Sequence, residues 1–274
     1  MFISPMLLHQ VDQPFDDDSW ITELKLDGFR CIWTKFNNKV RLYTRHNNEI
    51  TSMFPELIDL PLPDGTVLDG EIVVSDDQGK PDFEAVMQRF KSKKSLHQIT
   101  YGVFDIVYYA NENLSYKPLL ERKEILSNVI PVDTNLLTKV NWTNGNGMAY
   151  FDSVKQLDLE GVVLKRADSG YQVNKRSKDW LKVINYKYEN VYISGLRKDK
   201  FGLLLNYENG TYAGLLEFMP PNNRKELYNV YSDLVINEND KFFYLNPDLK
   251  ASVKFRNYTS KGLLRIPSFV EWVS

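Results

Sequence analysis

Thr66-Val67-Leu68-Asp69-Gly70-Glu71-Ile72-Val73-Val74 is the stretch that most restricts how this 274-residue chain can fold. Its apolar, β-branched composition predicts a buried strand, yet two acids sit inside it. A side-chain period of two places Asp69 and Glu71 on the same face as Val67 and Val73. Carboxylates in such a strand are costly to bury unless coordination or hydrogen bonding compensates for the water they lose. The fold must therefore bring partners to that face, and a functional role is the reading the pattern favours for both acids.

A second stretch, Glu23-Leu24-Lys25-Leu26-Asp27-Gly28-Phe29-Arg30, lies in an apolar run that opens at Trp20. Thr22, Leu24 and Leu26 alternate with Glu23, Lys25 and Asp27, which predicts a strand with three charges on one face. A lysine between two carboxylates is ordinarily a solvated, charge-balanced surface. Gly28, which lets a ligand approach the backbone, and Arg30, a fork suited to phosphate or a ribose edge, add a second reading. The strand is expected to continue to Trp33 or Lys35, turn at Asn37-Asn38 and return over Val40–Thr44 as a hairpin. That hairpin delivers Arg45, either an exposed arginine or a contact to a ligand.

Further along, Asp82 to Lys94 has helical spacing, with Phe83, Val86, Met87 and Phe90 on one face as core. Tyr101–Tyr109 reads as a strand, in which Phe104 is either core or a stacking platform. Leu119–Ile130 is an amphipathic helix, and another helix runs from the Asn144–Gly147 turn to about Leu157. Glu160-Gly161-Val162-Val163-Leu164-Lys165-Arg166 again has an acid leading a β-branched run. Gly170 to Asp179 reads as a polar, basic loop before Trp180-Leu181-Lys182-Val183. After about Tyr188 come strands over Asn190–Arg197, Gly202–Tyr207 and Thr211–Phe218, and a helix from about Asn222 to Leu234. Strands over Val253–Tyr258 and Leu263–Ile266 follow.

Lys25-x-Asp27-Gly28-x-Arg30, Asp69-Gly70-Glu71, Phe104-Asp105, Glu160-Gly161-Val162-Val163 and Trp180-Leu181-Lys182-Val183 occur in one order. Together they resemble the motifs of the covalent nucleotidyltransferases, the superfamily of ATP-dependent DNA ligases, RNA ligases and mRNA capping enzymes. The run Val253-Lys254-Phe255 through Pro267-Ser268-Phe269 resembles the C-terminal domain of bacterial ATP-dependent DNA ligases, so the likeness spans about residues 1–270. It implies that Lys25 becomes covalently adenylated, with Glu23, Arg30, Glu71, Phe104 and Lys182 at the nucleotide. It also implies Glu71 and Glu160 on a metal ion, and Arg45 and Arg30 on nucleic acid. Two departures stand out. The usual Lys-x-Lys has Ile184 at its second position, so either Lys182 acts alone or Lys187 reaches in. No Arg-x-Asp-Lys element follows Phe269, which leaves Arg265 or Lys261 to orient pyrophosphate.

Composition narrows the setting. One cysteine, Cys31, excludes an internal disulfide and most zinc sites, which fits a reducing cytoplasm. Three histidines without ligand spacing argue against imidazole catalysis. No apolar run reaches membrane-span length, and the N-terminus lacks a signal-peptide layout. The net charge of −2 hides an asymmetry: residues 1–90 hold 8 Lys and Arg against 16 Asp and Glu, and residues 91–274 hold 26 against 20. A chain basic over its latter two-thirds can track a phosphate backbone with one face.

The expectation is an α+β chain. Residues 1–188 form an ATP-grasp-like ligase nucleotidyltransferase domain with antiparallel sheets and helices, and 189–274 a small all-β OB-fold barrel. The resemblance implies an ATP-dependent DNA ligase that uses ATP and Mg²⁺, with Mn²⁺ able to substitute. It would act as a monomer on nicked duplex DNA in repair, replication or recombination. An RNA ligase or a GTP-using capping enzyme shares the early motifs. A non-catalytic OB-fold nucleic-acid-binding protein is the alternative of another class, against which the buried acids argue.

Overall fold

The structure, a computed structural model, describes residues 1–92 and 94–273. The chain divides into two compact units, Met1–Asn185 and Tyr186–Ser274. The expected boundary at 188 lies inside the strand Lys187–Arg197.

Two sheets make up the first unit. One has five strands in the order Leu7–Gln10, Arg176–Ile184, Gly161–Arg166, Trp20–Leu24, Trp142–Asn144. The other has six: Lys39–Thr44, Phe29–Phe36, Thr66–Val73, Thr100–Tyr109 and Glu112–Asn113, with Leu137–Lys139 added in parallel to Thr100–Tyr109. Thr66–Val73 lies in the middle of the second sheet, between Phe29–Phe36 and Thr100–Tyr109. This is why a strand with two acids reads as apolar: both edges are paired, and every residue but Glu71 is buried. One face packs on the helices Phe83–Lys91 and Leu119–Val129 through Leu68, Ile72, Val86, Ile106 and Leu126. Asp82 caps the first of these helices by accepting a hydrogen bond from the Ala85 amide at 3.0 Å, and Phe83, Val86, Met87 and Phe90 are core as expected. The opposite face joins Val67 and Val107 to Ile21 and Trp180 of the five-stranded sheet. The outer side of that five-stranded sheet is covered by the helix Gly147–Gln156, through Phe151, Val154, Leu164 and Val183.

The structure corrects one element at the centre of the sequence reading. Trp20 to Trp33 is not a continuous strand: Trp20–Leu24 belongs to one sheet and Phe29–Phe36 to the other. Lys25 to Gly28 is the crossover between them. The alternation of Leu24, Lys25, Leu26 and Asp27 mimics a strand because both flanking segments are strands. Gly28 is required here by packing: a Cβ would collide with the Ile72 carbonyl and stand 2.7 Å from Val73. The hairpin after it is as expected, turning at Asn37 and Asn38, both with positive φ. Cys31 is a fully buried strand residue. The region expected as a loop, Gly170 to Asp179, already joins the Arg176–Ile184 strand at Arg176.

The second unit holds a seven-stranded antiparallel sheet and one helix, Pro221–Leu234, so it is not all-β. Its central strand Lys187–Arg197 pairs with Leu203–Asn206 on one side. On the other side it pairs first with Lys250–Phe255 and then with Phe242–Leu245. The sheet curls without closing into a barrel: an isolated bridge, Phe218 to Ser268, is what links its far edge to Ser268–Val273. Leu263–Ile266 is not a strand, whereas Val235–Glu238, Phe242–Leu245 and Ser268–Val273 are. Val191, Ile193, Leu205, Leu227, Val253 and Phe255 form the core of this unit.

Candidate active site

Lys25 sits at the end of the Trp20–Leu24 strand, and its backbone amide donates to the Gly161 carbonyl at 3.0 Å. This tie extends the Trp20–Leu24 ladder to the Gly161–Arg166 strand by one residue. It also sets the two functional side chains against each other: Lys25 Nζ donates to Glu160 Oε2 at 2.7 Å. The Glu160 side chain is 2 % exposed and Lys25 is 17 % exposed, so the ammonium is the member of the pair that solvent and ligand can reach. Gly161 allows the approach, since a Cβ there would strike the Val183 carbonyl.

Glu71 shares the electrostatic field of this pair. Burial pushes its carboxyl up to about 8; Lys25 and Arg30 pull it down, and Glu160 and Asp69 push it up further. Among the described residues Glu71 has neither a hydrogen bond nor an ion pair. A half-buried acid without a partner, beside a second acid, is a site that favours a cation. No group of three or more His, Cys, Asp or Glu side chains among the described residues is arranged to hold a metal ion by itself. Glu71 and Glu160 thus fit a hard cation that takes most of its ligands from water and phosphate oxygens.

Asp69, the other acid of that strand, is satisfied differently. The Arg30 fork donates to it twice, Nε to Oδ1 at 2.9 Å and Nη2 to Oδ2 at 2.6 Å. The Tyr171 hydroxyl donates to Oδ2 at 2.6 Å. Arg30 Nη2 also donates to the Met6 carbonyl at 2.8 Å, and the guanidinium lies 5.3 Å from the centroid of the Phe104 ring. The carboxylate beside Arg30 raises its already high pKa further, against the effect of burial. Of the two acids in that strand, Asp69 is met by an arginine, whereas Glu71 lies in the field of Lys25, Arg30 and Glu160 without a bond to any of them among the described residues.

Phe104 is half-buried in the layer between the two sheets. The Lys165 ammonium stands 4.5 Å from its ring and 4.1 Å from that of Trp180, and the two rings meet edge to face at 6.3 Å. Lys165 Nζ lies 2.7 Å from Glu23 Oε2, and Lys123 pairs with Glu23 Oε1. Glu23 is therefore not on a solvated face but is 2 % exposed between two buried lysines. Sequence reasoning missed both lysines. The available signal was parity: Lys165 shares the face of Gly161 and Val163, which pairs with Glu23 across the ladder. Lys123 carried a helical one: it falls between Leu119 and Leu126 on the buried stripe of the Leu119–Val129 helix.

Lys182 is half-buried, opposite Val163 on the Arg176–Ile184 strand. Ile184 is 6 % exposed and pairs with Gly161, so an apolar side chain occupies that position. Lys187 belongs to the second unit and lies 5.8 Å from the Tyr258 ring. Arg265, 8 % exposed, donates from Nη1 to Asn257 Oδ1 at 3.2 Å, and Lys261 is exposed. Arg45 is exposed at the hairpin end, its Nε donating to His46 Nε2 at 2.9 Å, and among the described residues no hydrogen bond or ion pair ties it to the Lys25 cluster.

The family profile described as ATP dependent DNA ligase domain matches residues 5–183. The SPbeta prophage-derived DNA ligase-like protein LigB of Bacillus subtilis (strain 168) is 52 % identical over 272 residues, covering 99 % of each chain. The multifunctional non-homologous end joining protein LigD of Mycobacterium bovis is 27 % identical over 293 residues, covering 97 % of this chain and 38 % of that protein. A solved mycobacterial DNA ligase D, complexed with ATP and MES, superposes with a TM-score of 0.63 at 25 % identity, covering 99 % and 95 % of the two chains. A Lig E DNA ligase shares the fold, with a TM-score of 0.70 at 16 % identity over 98 % and 99 % of the chains.

Proposed function

The chain belongs to the ATP-dependent DNA ligase family, and on that premise we propose that it seals nicks in duplex DNA with Lys25 as its nucleophile. The observation that carries the residue assignment is the 2.7 Å contact between the accessible Lys25 ammonium and the buried Glu160 carboxylate, with Glu71 in the field of both. Attack needs a neutral amine, and Glu160 is in place to receive the ammonium proton or pass it to water. Lys25 Nζ then forms a bond to the α-phosphorus of ATP, the bond to the bridging oxygen breaks, and pyrophosphate leaves. The adenylate passes from Lys25 to the 5′-phosphate at the nick, and the 3′-hydroxyl displaces AMP.

Phosphoryl transfer of this kind rests on positioning and charge neutralisation. Phe104 offers a face for the base, and Lys182 a charge for the α-phosphate. Arg30 serves by holding the Asp69 strand and Phe104 in place, and its contact to nucleotide or nucleic acid is confined to what its Asp69 bonds leave over. Glu71 and Glu160 would hold Mg²⁺ or Mn²⁺, which when bound neutralises phosphate charge. The second unit with Arg45 contacts the duplex. Such a monomeric cytoplasmic enzyme serves repair, and equally replication and recombination.

The experiment is an intact-mass measurement after incubation with ATP and Mg²⁺, followed by sealing assays on nicked DNA and nicked RNA. One added AMP, lost in the Lys25→Ala variant, and sealing of the DNA nick are expected. Uptake of GMP from GTP in place of AMP, or AMP on the Lys25→Ala protein, would refute the assignment.

A further inference from the structure

Lys123 and Lys165 take no part in the chemistry above, yet both are buried beside the strand that carries the nucleophile. Their side chains are 5 % and 2 % exposed, and both contact the Glu23 carboxylate, one on each oxygen. Three elements meet at this point: the Trp20–Leu24 strand, the Gly161–Arg166 strand and the helix Leu119–Val129. Two ammonium groups on one carboxylate leave a positive charge in excess. The Phe104 and Trp180 rings face that charge and replace part of its lost hydration. Asp105, the next acid in this field, is already held by the Arg122 fork through two bonds of 2.8 Å.

Such a cluster does little for stability, because well-packed apolar side chains of the same volume serve a fold as well or better. Its position is the telling feature. Glu23 lies two residues before Lys25 on one strand, and Lys165 lies five residues after Glu160 on the neighbouring strand. The lysines thus bind the strand that ends at the nucleophile to the strand that begins at its carboxylate partner. Lys123 ties both to a helix. Without these contacts the backbone ladder alone would set Lys25 Nζ against Glu160.

We propose that Lys123 and Lys165 are positioning residues of nucleotidyl transfer: through Glu23 they hold Lys25 in register with Glu160. The proposal rests on the assignment of Lys25 as nucleophile. It separates the steps of the reaction, since attack by Lys25 needs that register, whereas the 3′-hydroxyl's attack on a nick that already carries AMP does not.

The test uses the full chain with the substitutions Lys123→Met, Lys123→Arg and Glu23→Gln. It reads the maximal rate of self-adenylation, the half-saturating ATP concentration, the sealing of a pre-adenylated nick and the melting temperature. Lys123→Met is expected to lower the maximal adenylation rate roughly tenfold or more, the usual cost of losing a group that orients a reacting one. The half-saturating ATP concentration and pre-adenylated sealing change far less, and Lys123→Arg restores most of the adenylation rate. On the Glu23→Gln background Lys123→Met adds little, because the residues act as one unit. Wild-type adenylation by Lys123→Met, an equal loss of both steps in proportion to the melting temperature, or full additivity with Glu23→Gln would each overturn the proposal. Should Lys123→Met not fold, Glu23→Gln carries the same expected split, and an equal loss of both steps in that variant is overturning. A wild-type protein that takes up no AMP refutes the nucleophile assignment and this proposal with it; an adenylated wild type beside an unaffected Lys123→Met refutes this proposal alone.

Discussion

Asp69→Asn separates the two roles open to Arg30, a ligand for phosphate or a strut of the fold. The substitution keeps shape and volume but removes the charge that faces the guanidinium. In the native protein Asp69 is fully buried and Arg30 is 14 % exposed, with two fork bonds of 2.9 and 2.6 Å between them. The Tyr171 hydroxyl can still donate to the amide oxygen. Arg30 keeps only the Met6 carbonyl and one amide oxygen, and the amide nitrogen points a donor at a donor. Breaking a buried pair by removing one partner costs about 3–5 kcal/mol. Total stabilities run at about 5–15 kcal/mol, so this is a large fraction. At roughly 2–4 °C per kcal/mol for a chain of this size, the melting temperature should fall by about 6–20 °C. Urea titrations of Asp69→Asn, Arg30→Met and the double variant Arg30→Met/Asp69→Leu provide the assay. The double variant should recover much of the loss, because it leaves no charge stranded. A cost under about 1 kcal/mol for Asp69→Asn, with additivity in the double variant, would refute the strut. An Arg30→Met protein of native stability that no longer transfers AMP would then give the guanidinium to the nucleotide.

Other outcomes are equally specific. Lys25→Ala should take up no AMP yet still bind nicked duplex in a gel-shift assay, because phosphate contacts are spread over many residues; loss of binding would place Lys25 in the DNA interface. Glu160→Ala should slow adenylation by roughly 10²-fold or more, the scale of losing a group that stabilises developing charge, as measured in single-turnover assays; an unfolded variant whose refolded fraction is fully active would make the carboxylate structural. Burial holds the Lys165 ammonium down to about 8 from its ordinary 10.5. The folded state therefore releases its proton first, and the burial cost, complete below pH 8, is relieved as pH rises to 10.5. Wild type should gain on Lys165→Met by up to about 3 kcal/mol across that window, and a stability difference that stays flat with pH would contradict this. Residues 1–185 should fold alone, because three of the hydrophobic clusters lie wholly within them. That fragment should lose much of its affinity for nicked DNA, and circular dichroism with gel shifts would check both points.

Local chemistry made part of this molecule legible before any coordinates. A Val- and Ile-rich strand with Asp69 and Glu71 on one face demands partners; Arg30 meets the first, and the second is left to the charges of the Lys25–Glu160 site. Glu71 and Glu160 stand out because each sets an acid at a β-branched run, a signal a short window contains; Lys25, Phe104 and Lys182 were marked by the resemblance of their motifs. The Asn37-Asn38 turn was readable from its own residues as well.

What lay beyond the sequence depends on contacts between segments distant along the chain. Alternation cannot reveal that Lys25 to Gly28 passes from one sheet to another, because both flanking segments are strands. Gly28 suggested room for a ligand, yet its neighbour is the Ile72 carbonyl of a strand more than forty residues away. Arg30 looked like a free fork until Asp69 was seen to fill it. Glu23 looked solvated until Lys165 and Lys123, from another strand and a helix, closed over it. The three C-terminal strands that went unread mix polar, aromatic and apolar residues without strict alternation, so their pairing in the curled sheet defines them. A residue's chemistry and period are properties of its own stretch of chain; its burial and its partner are set only when distant stretches meet. The kinds of group at this site could be read from the sequence, and the tertiary structure decided which of them were already occupied.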